Sequence, residues 1–186
     1  TEKVAIVGVT TPESFTKSTP AYFQDENGNY IYGIAGGTDG AALYADVQKA
    51  IDAAKAEGAT KVIGLGHLGL DASSSPWTSA EVIANVSGLD AFIDGHSHST
   101  VANQVVNDKD GNPVTLTQTG QYLNAIGKMV ISDDGTITTE LVTGYTGSDA
   151  AVKAQQDAWI SQVDTQLGEK IGTAGVTLDN YDADGN

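Results

Sequence analysis

Lys61-Val-Ile-Gly-Leu-Gly-His67-Leu-Gly69 and, further along, Leu89-Asp-Ala-Phe-Ile-Asp94-Gly-His96-Ser-His98 are the two stretches that decide how this chain folds. Lys61–Leu65 and Leu89–Ile93 are short, nearly continuous apolar runs closed by polar or glycine residues, the pattern of buried strands. Each run opens into a glycine-flanked loop that carries histidine. Between them, Thr78 and Glu81 stand at capping-box spacing, so a short helix is expected through Ile83. Strand, helix, strand in this order predicts α/β alternation.

The pattern extends upstream. Lys3-Val-Ala-Ile-Val-Gly-Val9, stopped by Thr10-Thr11-Pro12, is a further buried-strand candidate. Residues 12–40 are rich in Gly, Asn, Asp and Pro and predict a long decorated loop, with Asp25-Glu-Asn-Gly-Asn29 as a hairpin turn. Over residues 40–57 the period becomes helical: Leu43, Val47, Ile51 and Ala54 share a face, and Gly58 supplies a stop.

Downstream the chain turns β-rich. Val101–Val106, Val114–Thr117, Gly127–Ile131 and Thr136–Val142 are expected strands, with turns at Asp108-Lys-Asp-Gly-Asn112 and Asp133-Asp-Gly135. A final helix is expected over residues 149–167, with Val152, Trp159, Val163 and Leu167 along one side and Trp159 as its docking residue. Asn180-Tyr-Asp182-Ala-Asp184-Gly185 has the early spacing of a calcium loop, but it begins with Asn and lacks the closing Glu. A polar turn is the better reading. Trp77 is expected to pack against the sheet rather than cover a site.

Composition narrows the function. A formal charge of −15 excludes a nucleic-acid polymer as partner, because phosphate backbones need concentrated Lys and Arg. All nine basic residues are lysine; an arginine clamp for phosphate is therefore expected outside this chain. Cysteine is absent, which removes disulfides and thiolate metal sites. No apolar run approaches the roughly 18 residues of a membrane-spanning helix, and no secretory leader is expected in the chain itself.

The chemistry lies with the histidines. All three, His67, His96 and His98, follow expected strands, and the carboxyl ends of strands are where open α/β sheets form ligand sites. Neutral imidazole is a standard ligand for zinc, manganese and iron. If the backbone stays extended, His96 and His98 point the same way. Asp71 and Asp94, beside these loops, are candidates to orient the imidazoles from behind; for Asp71 a solvated loop carboxylate is an equal alternative.

Gly64-Leu-Gly-His67-Leu-Gly69 followed by Asp94-Gly-His96-Ser-His98 resembles the last two metal motifs of calcineurin-like metallophosphoesterases. Val4-Ala-Ile-Val-Gly-Val-Thr-Thr-Pro-Glu13 and Gln118-Thr-Gly120 with Gly127-Lys128 are similar to segments of the family's 5′-nucleotidase branch. The resemblance implies the second half of a four-layer αββα metallophosphoesterase sandwich over residues 1–145. A linker helix over 146–170 and the start of a C-terminal substrate domain over 171–186 would follow. It also implies two divalent metal ions (Zn, Mn, Fe or Co), with His67 and His96 on one and His98 on the other. The implied activity is hydrolysis of 5′-nucleotides by a bacterial secreted or surface enzyme.

The family's earlier motifs, an Asp-x-His, a Gly-Asp that supplies the bridging carboxylate and a Gly-Asn-His with the catalytic histidine, are expected to lie outside this chain. The chain is accordingly expected to be a fragment, inactive by itself. It would need the parent's N-terminal half and C-terminal domain as partners, with catalytic residues outside this chain. Rival readings are a 2′,3′-cyclic nucleotide phosphodiesterase or nucleotide-sugar hydrolase on the same scaffold, and a non-catalytic metal-binding or scaffold module.

Overall fold

The computed structural model describes residues 2–173 and 175. It divides into two units, Thr1–Gly144 and Tyr145–Asn186. The first is α/β. Its elements in chain order are β1 (Val4–Thr10), α1 (Ser14–Lys17), α2 (Ala41–Ala56), β2 (Lys61–His67), α3 (Ser79–Asn85), β3 (Ala91–Asp94), β4 (Thr100–Asn107), β5 (Pro113–Thr119), β6 (Ile126–Ile131) and β7 (Ile137–Val142). The second unit holds α4 (Ala150–Leu167), capped by the Asp149 carboxylate on the amides of Ala151 and Val152.

The main sheet has five strands in the order β1-β2-β3-β5-β4. Its first four are parallel, and β4 returns antiparallel to β5 at the far edge. The cross-strand row Val7, Gly64, Phe92 and Leu116 places these residues on one face. That face is covered by α2, through Leu43, Val47 and Ile51, and by α3, through Val82 and Ile83. On the opposite face Gly127 of β6 lies against the Thr119 methyl, and Thr139 of β7 donates to the Ala102 carbonyl. Of the expected four-layer sandwich, the described residues thus supply one helical layer, the main sheet and a two-stranded ribbon.

Phe92 is the centre of the core, and two glycines make room for it. It is fully buried and lies across β2 so closely that a methyl group at Gly64 or Gly66 would overlap its ring. The glycines in Lys61-Val-Ile-Gly-Leu-Gly-His67 therefore serve packing, inside the strand.

Several expectations need adjusting. β1 was expected to be buried, but it is an edge strand and only Val7 is fully covered; Val4 and Ile6 on its outer face are exposed. β2 continues through His67, whose backbone pairs with Thr10, so this histidine ends the strand instead of following it. The loop over 12–40 contains α1 and a 3-10 turn at Pro20–Phe23 before the expected hairpin, closed by the Asp25 amide on the Asn29 carbonyl at 2.9 Å. Trp77 packs on the core and donates its indole N–H to the Gly37 carbonyl, as expected of a packing residue. Within its own unit α4 buries no residue, and Trp159 is exposed. The calcium-like stretch 180–185 lies outside the described residues, as does most of 171–186. No helix among the described residues is long and apolar enough to cross a membrane.

The fit of Phe92 over β2 has a measurable consequence. Gly64→Ala should lower stability by about 1–3 kcal/mol through overpacking. Gly8→Ala, on the neighbouring strand with open space above it, should stay within about 0.5 kcal/mol. Urea midpoints of the two variants against the parent sequence test the difference.

Candidate metal-binding site

β2 and β3 end side by side, and their carboxyl ends bring two of the three histidines into contact. His67 Nε2 lies 3.2 Å from His96 Nδ1, with ring centroids 4.9 Å apart and the planes inclined by 61°. The far nitrogen of His96, Nε2, meets Glu13 Oε2 at 2.8 Å. His96 is mostly covered, with its side chain 14% exposed. His67 and His98 are exposed.

His98 takes a different course. Its backbone has φ 56°, and that of His96 has φ 80°. Both are left-handed, a conformation that costs a non-glycine residue about 1–3 kcal/mol and clusters at functional sites. The segment is therefore not extended, and the alternation that would aim His96 and His98 alike does not apply. No side-chain hydrogen bond of His98 occurs among the described residues.

The loops that carry these histidines are fastened to one another. Asp94 accepts from the amides of Leu68 at 2.9 Å and Gly69 at 3.0 Å, so the end of β3 grips the loop leaving β2. Asp94-Gly-His96 also spells the family's Asp-x-His pattern, but its carboxylate is engaged with backbone. It orients the His67 loop and not an imidazole. Gln118, fully buried on β5, accepts from the Ser99 amide at 2.7 Å and the Ser97 hydroxyl at 3.1 Å. Gly69 has φ 82°, and a methyl there would press on His96 and Ser97 at 3.2 Å. Asp71 is exposed, and its carboxylate makes no hydrogen bond among the described residues.

Glu13 is the residue that the sequence alone did not single out for a role. It is 7% exposed, and its other oxygen meets Lys17 Nζ at 2.7 Å while the Ser74 hydroxyl donates to Oε2 at 2.7 Å. Burial alone would raise its pKa; hydrogen bonds from Lys17, Ser74 and His96 outweigh that and hold it down to about 2. It follows Thr11 and Pro12, and the Thr11 amide donates to the His67 carbonyl at 3.0 Å. The only available signal was its place in the Thr-Thr-Pro-Glu13 stretch.

Among the described residues, no group of three or more His, Asp or Glu side chains forms a cage that could hold a metal ion. The donor chemistry does fit part of one cation site: two imidazole nitrogens face each other at a strand-end opening. A cleft of about 410 Å³, lined by Lys61, Asp90 and Pro113 among others, sits at the amino ends of the strands. It has no histidine in its lining.

Two outcomes follow from this geometry. Removing the Asp94 carboxylate by Asp94→Ala should strip hydrogen-exchange protection from the Leu68 and Gly69 amides and cost about 3–6 kcal/mol, since each of the two bonds to a charged acceptor contributes about 1.5–3 kcal/mol. Glu13 titrates near 2 in the folded chain against an ordinary 4.5, so the stability it lends is complete above 4.5 and is lost as pH falls toward 2. Glu13→Gln should flatten the fall of the unfolding free energy, read from urea titrations, across that window by an amount on the order of 3 kcal/mol.

No known protein-family profile matches the chain. Its sequence is 26% identical over 188 residues to the trifunctional nucleotide phosphoesterase protein YfkN of Bacillus subtilis, spanning 96% of this chain and 11% of that protein. In fold it is similar to the NAD nucleotidase NadN of Haemophilus influenzae, with a TM-score of 0.52 at 18% identity over 98% of this chain and 33% of that one. A putative 5′-nucleotidase from Staphylococcus aureus, solved in complex with alpha-ketoglutarate, gives a TM-score of 0.52 at 15% identity over 87% of this chain and 32% of that one. The chain thus spans about a tenth of the curated relative and a third of the solved structures. The chain is thus similar in sequence to part of a nucleotide phosphoesterase and in fold to part of two proteins described as nucleotidases.

Proposed function

We propose that this chain is part of a metal-dependent phosphoester hydrolase, a 5′-nucleotidase releasing phosphate from nucleotides, and that it contributes one side of a dinuclear metal centre. The observation that carries the reading is the approach of His67 Nε2 to His96 Nδ1, 3.2 Å apart at the carboxyl ends of parallel strands. His67 and His96 would share one cation. His98, exposed on the same loop, would serve the second. When bound, such cations supply Lewis acidity to a phosphoryl oxygen and lower the pKa of water toward neutrality.

The chain's own residues do the placing. Asp94 and Gln118 hold the two histidine loops in fixed relation. The left-handed backbone at His96 helps to set its ring over the end of β2, beside His67. Three neutral histidines do not balance the charge of two divalent cations, so the anionic ligands, the bridging carboxylate and the catalytic histidine are proposed to come from another part of a longer protein. An arginine for the phosphate would come from there too, since this chain has none. A bacterial extracellular or cell-surface setting is part of the same reading and accords with the lack of cysteine.

Calorimetric titration of the 186-residue chain with zinc or manganese tests the site. Binding should be weak, and His67→Ala and His96→Ala should each lower affinity by at least tenfold, with less effect from His98→Ala. Phosphate release from AMP by the same chain should be absent. Clear turnover abolished by His96→Ala would show that these residues complete a working centre by themselves and would sink the partial-site reading. Zinc affinity unchanged in both histidine variants would instead favour a scaffold role.

A further inference from the structure

The reading of His67 and His96 as ligands to one cation leaves a question that Glu13 answers. An imidazole can bind a cation through a given nitrogen only when that nitrogen carries a lone pair, so the tautomer of His96 decides whether Nδ1 is a donor toward His67. We propose that Glu13 is the positioning residue of the histidine pair: it keeps the His96 proton on Nε2 and so presents the Nδ1 lone pair beside His67 Nε2. The inference rests on the proposed cation site for its purpose, but the tautomer stands on the geometry of this chain alone.

The geometry is specific. Glu13 Oε2 lies 2.8 Å from His96 Nε2, and an ionised carboxylate only accepts, so the proton of that bond belongs to the imidazole. The carboxylate is itself held from two further sides. Lys17 Nζ reaches Oε1 at 2.7 Å, and the buried Ser74 hydroxyl donates to Oε2 at 2.7 Å. The Glu13 amide donates to the Thr11 hydroxyl at 3.2 Å, and the Thr11 amide is bound to the His67 carbonyl. The carboxylate behind one histidine is therefore anchored to the backbone of the other. A carboxylate behind a ligating imidazole is a recurrent means of fixing ring orientation and raising ligand basicity, and its removal typically lowers metal affinity about 10–100-fold.

Long-range ¹H–¹⁵N correlation spectra of the metal-free 186-residue chain read the tautomer directly. Wild type should show the His96 proton on Nε2. Glu13→Ala should lose that bias and weaken zinc affinity about 10–100-fold. Glu13→Gln, whose amide oxygen can still accept from Nε2–H, should recover most of both; it is also close in shape, and it keeps the test alive if the alanine variant unfolds. A wild-type His96 protonated on Nδ1, or an unbiased mixture, overturns the proposal. So does a folded Glu13→Ala that binds zinc as tightly as wild type while His96→Ala does not. If the tautomer shifts as expected but no variant, nor wild type, takes up zinc, Glu13 keeps its hold on His96 and the cation reading is the one that fails.

Discussion

The Asp94 carboxylate, closed on the amides of Leu68 and Gly69, is the bond on which the arrangement of this protein's strand ends depends. It sits at the last position of β3 and is almost wholly buried, yet its partners belong to the turn that leaves β2. Two backbone donors that would otherwise face a crowded, partly dry space are satisfied at once. Because His67 precedes that turn and His96 follows Asp94 by two residues, the same carboxylate sets the distance between the two imidazoles. Phe92, two residues earlier on the same strand, performs the corresponding task for the core by filling the trough that Gly64 and Gly66 leave.

Much of this was legible in the sequence, and the legible parts share a physical cause: they are local. The face Leu43, Val47, Ile51 is a helical period and appears as the buried stripe of α2. The capping box of Thr78 and Glu81 closes within four residues and is present in both directions. The Asp108 turn closes on Asn112 through both amide and side chain. What was hidden depends on residues far apart along the chain. Glu13 meets His96 across 83 positions, and no period or spacing joins them. Asp94 was visible as a residue beside a histidine, but its choice of backbone over imidazole follows from where β2 and β3 end. The extended geometry expected for His96 and His98 failed for a related reason: the loop must turn back over β2, and two left-handed residues accomplish that.

The edge position of β1 shows the same limit from the other side. An apolar run reads as buried on both faces because β-branched residues and small residues alternate too weakly to mark an outside. Val4 and Ile6 are 44% and 58% exposed, beside Leu65 at 50%. They line one face of the sheet next to the free edge, while Ala5, Val7 and Val9 face α2.

That exposed apolar strip gives the isolated chain a particular colloidal character. Its net charge of −15 keeps copies apart at low ionic strength, when repulsion reaches far beyond contact distance. Added salt shortens that reach to a few ångströms at molar concentration, and sulfate or phosphate salts favour apolar burial at the same time. Among the described residues no strand pairs with the outer edge of β1, so the electrostatic barrier to its pairing with a second copy is then lower. Ionic strength is thus expected to bear directly on whether this chain stays dispersed.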